Sequence, residues 1–316
     1  MKTGYVARMT GALLLLVAAG CKTTEPETKP LSWKEQSAYL GKVKDPRMYG
    51  FSIYRTPGGS IEYRDGIRLH PRQGADLAMK ASEPLRPVVD LKGGSSVLLD
   101  FSASSGCLEF GLAKRLGALP VGERTATMIR QPGEEIDGSL SVIPVLRFQN
   151  LYVERPLMVV RMATGPLGRA ARGVTEPQVK GVVGWDLLRK FDQIQLDYAE
   201  AKVRILTQTS DYQADPSVLV AMLSLVKAAG GCAVRGTVDG RSELIVIDPA
   251  GDFELATPGG TSVAALVLAE GFELSNPAVV ESPGAIRLGA QFLKNYKVTV
   301  CPKAGVLYFE KPVAGE

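Results

Sequence analysis

From residue 51 onward, apolar positions fall in short runs separated by Gly, Pro and polar residues. Ile194 and Leu196, Val203 and Ile205, Val298 and Val300, and Leu307 and Phe309 each flank a single intervening residue. A period of two puts one set of side chains on one face of a strand. Ser95–Asp100 (SSVLLD) and Glu243–Asp248 (ELIVID) are nearly continuous apolar runs that end in Asp, the pattern of strands buried on both faces. Phe51–Arg55 and Ser60–Arg64 (FSIYR, SIEYR) add two more strand patterns. Helical patterns are few: Leu108–Leu116, a short segment after each of Gly184 and Gly289, and Pro216–Ala229. The last opens on a proline and stops at Gly230-Gly231, which predicts a helix. With 34 Gly and 20 Pro to supply tight turns, the chain is predicted to be mainly β.

The pattern repeats. Gly184–Ile205 (GWDLLRKFDQIQLDYAEAKVRI) aligns with Gly289–Phe309 (GAQFLKNYKVTVCPKAGVLYF) across a one-residue gap. Gly184 matches Gly289, Leu188 matches Leu293 and Phe191 matches Tyr296. Ile194 and Leu196 match Val298 and Val300, while Val203 and Ile205 match Leu307 and Phe309. Each unit follows a pair, Val182-Val183 or Arg287-Leu288, the second with one polar member. Upstream of each stands an apolar strand ending in Asp: Asp100 before FSASSG, and Asp248 before PAGD. A carboxylate at the end of a buried strand is costly unless it is hydrogen-bonded, paired or functional. Two at equivalent points predict a pair meeting on a pseudo-two-fold axis. The repeats differ in length, with 84 residues from Asp100 to Gly184 and 41 from Asp248 to Gly289. The longer interval holds RQPGEEIDGS (130–139) between TATMI and LSVIPVLRF, predicting a hairpin that the second repeat has largely lost.

Strand, Asp, turn, short helix, hairpins, apolar pair with Gly, then closing helix and strands: this order resembles the retropepsin-like and pepsin-like aspartic peptidases. The likeness spans roughly residues 84–208 and, more weakly, 231–312. VLLDFSAS resembles the family's Asp-Thr/Ser-Gly-Ala/Ser turn, and VKGVVGWDLLRKF its closing segment. The resemblance implies a bilobal acid-protease-like β-barrel fold with a pseudo-two-fold repeat and few short helices. Its N-terminal lobe would span 51–209 and its C-terminal lobe 231–316, with the predicted helix connecting them within 210–230. It also implies a catalytic pair, Asp100 and Asp248, and neither cofactor nor metal. Phe101, Ser102, Ala103 and Ser104 would form one active-site turn, and Pro249, Ala250 and Gly251 the other. Gly184 and Gly289 would complete the loops. In such a pair one carboxyl acts as general base on water and the other as general acid toward the peptide carbonyl. The turns depart from the family at four positions. Phe101 and Pro249 replace a Thr or Ser whose hydroxyl clamps the partner loop, and Pro249 lacks an amide hydrogen as well. Ser102 and Ala250 replace a Gly that lets backbone approach the carboxylate. Three readings stand: an endopeptidase of the cell envelope, a degenerate relative that binds envelope peptides or protein segments without cutting, and a protein whose two Asp residues only brace turns.

The N-terminus changes the picture of where such a protein works. Lys2 and Arg8 precede an apolar stretch, Ala12–Ala19, that is too short to span a bilayer core of about 30 Å. Ala18, Ala19 and Gly20 lead into Cys21, and the segment resembles a bacterial lipobox. It implies a signal peptide over 1–20, a diacylated Cys21 as the new N-terminus, and a polar tether (KTTEPETKP) within 21–50. Two acyl chains anchor stably. Lys22 in place of Asp favours the outer membrane, with the protein facing the periplasm. Without the leader, 35 basic residues face 33 acidic ones, a near-neutral balance that argues against nucleic acid as a partner. A monomer with peptide or unfolded protein segments as ligands is expected. Cys232 and Cys301 lie near the two ends of the second lobe and either bridge there or, like Cys107, act as small buried hydrophobes. His70 is the only histidine and there is no C-x-x-C, which excludes His-based zinc sites and, His70 apart, Ser-His or Cys-His chemistry.

Overall fold

A computed structural model of the chain describes residues 29–55, 61–64, 66–121, 126–131, 134–165, 167, 179–208, 212–228, 231–282 and 284–312. The leader, Cys21 and most of the tether lie outside the described residues, as does the hairpin turn at 132–133.

The protein is mainly β, in two lobes that repeat one strand arrangement. In the first lobe, Ser96–Leu99 runs parallel to Val179–Val183, with Leu98 opposite Val182 and Leu99 opposite Val183. Cys107–Leu108 lies antiparallel on the other side of Val179–Val183 and pairs in parallel with Leu157–Arg161, Cys107 facing Val159. In the second lobe, Arg241–Asp248 runs parallel to Ile286–Gly289, with Asp248 opposite Gly289. Leu255–Thr257 then lies antiparallel on Ile286–Gly289 and parallel to Val279–Glu281, Leu255 facing Val279. Cys107 and Leu255 each stand seven residues after their lobe's Asp, so the repeat extends to register. Val97, Leu98, Leu99, Ile245 and Ile247 are fully buried. That explains their continuous apolar runs, since both faces of these strands are covered.

The two lobes share a sheet. The hairpin Gln193–Asp197/Lys202–Leu206 lies beside its counterpart Lys297–Cys301/Val306–Glu310. Ile194 faces Val300 and Leu196 faces Val298, a reciprocal pairing of the residues the repeat makes equivalent. The pseudo-axis therefore passes between Gln195 and Thr299, whose side chains hydrogen-bond at 2.9 Å. Gly74–Ala78 and Leu219–Ala228 flank the hairpins. Among the described residues none of the sheets closes into a barrel.

Pro216–Ala229 is not a helix. Residues 219–228 form a strand hydrogen-bonded to Val306–Glu310 on one side and Gly231–Val238 on the other. Ala221 and Leu223 are buried while Met222 between them is exposed, so the working period is two. Two neighbouring strands with open backbone groups outweigh helix-like punctuation at the ends. The second lobe also keeps more of its hairpin than its length suggested: Ala265–Ala269 and Phe272–Ser275 pair with each other, and Ala265–Ala269 also pairs with Gly231–Val238. The helices are short. They are α1 (Trp33–Leu40), α2 (Phe110–Arg115), α3 (Trp185–Leu188) and α4 (Ala290–Leu293).

Candidate functional site

Asp100 ends its strand in a turn built to receive a carboxylate. Its amide donates to the Val183 carbonyl at 2.9 Å. Its Oδ1 accepts from the Ser102 amide (2.9 Å), the Ser102 hydroxyl (2.8 Å) and the Ala103 amide (3.0 Å). Ser104 follows, partly buried. The turn is closed by α3, whose Trp185 amide donates to the Ala103 carbonyl at 2.7 Å. The second lobe repeats that closure: the Ala290 amide of α4 donates to the Gly251 carbonyl at 2.8 Å. Close approach explains the two glycines. A Cβ on Gly184 would lie 2.5 Å from the Ser105 carbonyl carbon, and one on Gly289 would overlap the Phe253 carbonyl oxygen.

Asp248 sits in a different environment. Arg287 Nη1 donates to Asp248 Oδ2 at 3.4 Å, with both side chains buried. The same guanidinium donates from Nη2 to the Ser282 hydroxyl and lies 5.8 Å from the centre of the Phe253 ring. Arg287 stands two residues before Gly289, where the first lobe has Val182 before Gly184. The second lobe has thus replaced a core valine with a cation beside its Asp.

The two turns meet at the lobe boundary. The Cys232 amide donates to the Phe101 carbonyl at 2.8 Å. Gly231 is packed so closely that a Cβ there would lie 3.1 Å from the Phe101 oxygen and 3.4 Å from the Ser102 Cα. Gly231–Val238 pairs with the Asp248 strand, Ala233 facing Val246, and that register carried to its end sets Gly231 opposite Asp248. On the other side Ala250 packs in one buried cluster with Leu98, Ala103, Cys107 and Val182. Pro249 links it to Asp248, and the Gly251 amide donates back to the Asp248 carbonyl at 3.0 Å. The cross-lobe tie that a hydroxyl would make is made instead by the backbone of Phe101. Its ring is fully buried, 5.7 Å from the ring of Trp185.

Two further ionisable groups belong to this region. Burial, and secondly the charge of Asp248, push the Tyr198 phenol well above its usual range. Asp186, on α3, is half-buried as a residue, yet burial is the leading influence on its carboxyl and pushes it up to about 7. The Leu187 amide, at 2.9 Å, opposes that shift. Sequence reasoning passed over Asp186 and Tyr198. For Arg287 the signal was present, as the one polar residue in an otherwise apolar motif.

Cys232 and Cys301 are not bridged; both, and Cys107, are buried and outside any disulfide. The strands that carry them are separated by Leu219–Ala228 and Val306–Glu310. Three strand spacings of about 4.8 Å exceed the reach of a disulfide. Burial pushes the Cys232 thiol up, and Cys301 up to about 11. Among the described residues no group of His, Cys, Asp and Glu could hold a metal ion, and no helix is long and apolar enough to cross a membrane.

Three donors converge on one Asp100 oxygen, and a guanidinium that never deprotonates faces Asp248. No protein-family model matches the chain, and no curated protein matches it. Among solved structures it is similar to Basic 7S globulin from soybean, at 12% identity and a TM-score of 0.49, covering 77% of this chain and 96% of that one. At that identity and score the likeness assigns no activity.

Proposed function

We propose that this chain is a lipid-anchored protein of the cell envelope that uses an aspartic-protease-like framework to bind peptides or unfolded protein segments without cutting them. The observation that carries this reading is the Arg287 guanidinium held against Asp248 in a buried site. Aspartic chemistry needs the pair to hold one proton, so that one group acts as base on water while the other acts as acid toward the carbonyl. Arg287 donates to Asp248 where the first lobe has an apolar Val182, and Oδ1 of Asp100 already accepts from three donors of its own turn, so each carboxyl is engaged within its own lobe. Both Asp residues are fully buried.

Backbone geometry supports retained binding. In the hairpin Ala126–Gln131/Glu134–Val142, Gly138–Val142 rests on Leu157–Arg161, while the pairs from Gln131–Glu134 to Thr127–Asp137 form beyond that support. Ala126–Gln131 is the edge of its sheet among the described residues. An edge of this kind pairs with extended peptide through main-chain hydrogen bonds. The anchor reading rests on the lipobox at Cys21.

The test is a peptide-library digest from acidic to neutral pH on the wild type, Asp100→Asn and Asp248→Asn, run beside a binding assay with labelled extended peptides. No cleavage by any of the three, with peptides bound, is the expected result. Cleavage by the wild type that disappears in both variants would establish an active dyad and overturn the proposal. Labelling with radioactive palmitate, lost in Cys21→Ala, checks the anchor separately.

A further inference from the structure

The most exposed large apolar side chains among the described residues are Trp33, at 81%, and Met48, at 71%. Both lie in the first described segment. α1 is held rigidly: Ser32 caps it and forms a capping box with Glu35. On its inner side the Tyr39 hydroxyl hydrogen-bonds Ser141 at 2.8 Å and the Tyr39 ring packs edge-on to Phe110 at 5.4 Å. Trp33 is therefore presented to solvent by an anchored element. Residues 29–48 carry five basic residues, Lys29, Lys34, Lys42, Lys44 and Arg47, against two acidic ones, Glu35 and Asp45. The two acids are engaged locally, Glu35 by Ser32 and Asp45 by Arg47. An exposed Trp with a basic surround has the chemistry of a bilayer interface. The indole settles at headgroup depth and the lysines meet anionic phosphates.

We propose that α1 and the segment that follows it, through Met48, form a docking face for an anionic lipid bilayer. Trp33 and Met48 enter the headgroup region, and Lys34, Lys42 and Lys44 lie against the phosphates. Chain length argues for this occupant. Lys29 lies eight positions after Cys21, a reach of at most about 29 Å, so an acylated Cys21 keeps the face beside the membrane surface. The choice of a bilayer as occupant rests on the anchor reading of Cys21 and not on the peptide-binding one, and its test does not need the acyl group.

The experiment uses the full chain carrying Cys21→Ala, mixed with phosphatidylcholine vesicles with and without phosphatidylglycerol. Co-sedimentation with the anionic vesicles is expected, with a blue shift of tryptophan emission and quenching by brominated lipid. Trp33→Ala should weaken binding at least about ten-fold, as the burial of one large aromatic implies. Added salt should weaken it further. Trp33→Ala sits at an exposed position and leaves the peptide assay unchanged. Absence of vesicle binding, or equal binding by Trp33→Ala, overturns the docking face whatever palmitate labelling shows for Cys21.

Discussion

Arg287 and Asp248 are buried together, so removing one partner strands the other's charge. Arg287→Met is expected to lower stability by about 3–5 kcal/mol, and Arg287→Met combined with Asp248→Asn to recover most of that loss. Urea unfolding of the four proteins gives the coupling, and a double-variant loss equal to the sum of the two single losses would show that the pair is not coupled. Asp186 provides a second measurement. Its carboxyl is raised from 3.8 to about 7 in the folded state, chiefly by burial. Below pH 3.8 both states hold the proton; between the two values only the folded state does, so stability falls as pH rises through that window and levels off above it. Asp186→Asn keeps the acceptor for the Leu187 amide and should flatten that slope, raising the urea midpoint above pH 7 and leaving it nearly unchanged at the acidic end. The difference between these residues and the two Asp residues is one of legibility. Asp100 and Asp248 announced themselves by ending apolar strands. Arg287 broke a motif without naming its partner, because the contact spans 39 residues and depends on a strand crossing.

At the scale of elements, strands with one clear period were legible and a run without one was not. Ile194 and Leu196 alternate with polar residues and could be read only as a strand. In Leu219–Ala228 nearly every residue is apolar, so periods of two and of 3.6 fit equally well, and Pro216 with Gly230-Gly231 tipped the reading toward a helix. The decision was made by strands far away in sequence. The strand assignment predicts a contrast between adjacent positions. Leu223→Ala should cost about 2–4 kcal/mol, since the side chain is buried, whereas Met222→Ser should be nearly neutral. Comparable losses at both positions would argue against the alternation. The hairpin Ala126–Val142 was legible for the opposite reason, its Gly-bearing turn lying between two β-rich segments.

Across the whole molecule, the repeat could be found because an Asp, a Gly and six apolar positions recur in one order. How the halves join could not, since that depends on backbone register, which no residue type encodes alone. The register has a consequence of its own. Ile194 opposite Val300 and Leu196 opposite Val298 is the pairing of an isologous contact, in which the same patch meets itself across a two-fold axis. Such a contact is indifferent to whether its two sides belong to one polypeptide. A first half ending near residue 210 and a second half beginning there should therefore assemble when produced together, and co-purify through an affinity tag on either one. Asp in place of Ile194 should prevent this. Produced alone, the first half would expose Gln193–Asp197 as an open edge with an apolar face. Sedimentation should then find it as a symmetric dimer, with one copy of the half standing where the other belongs.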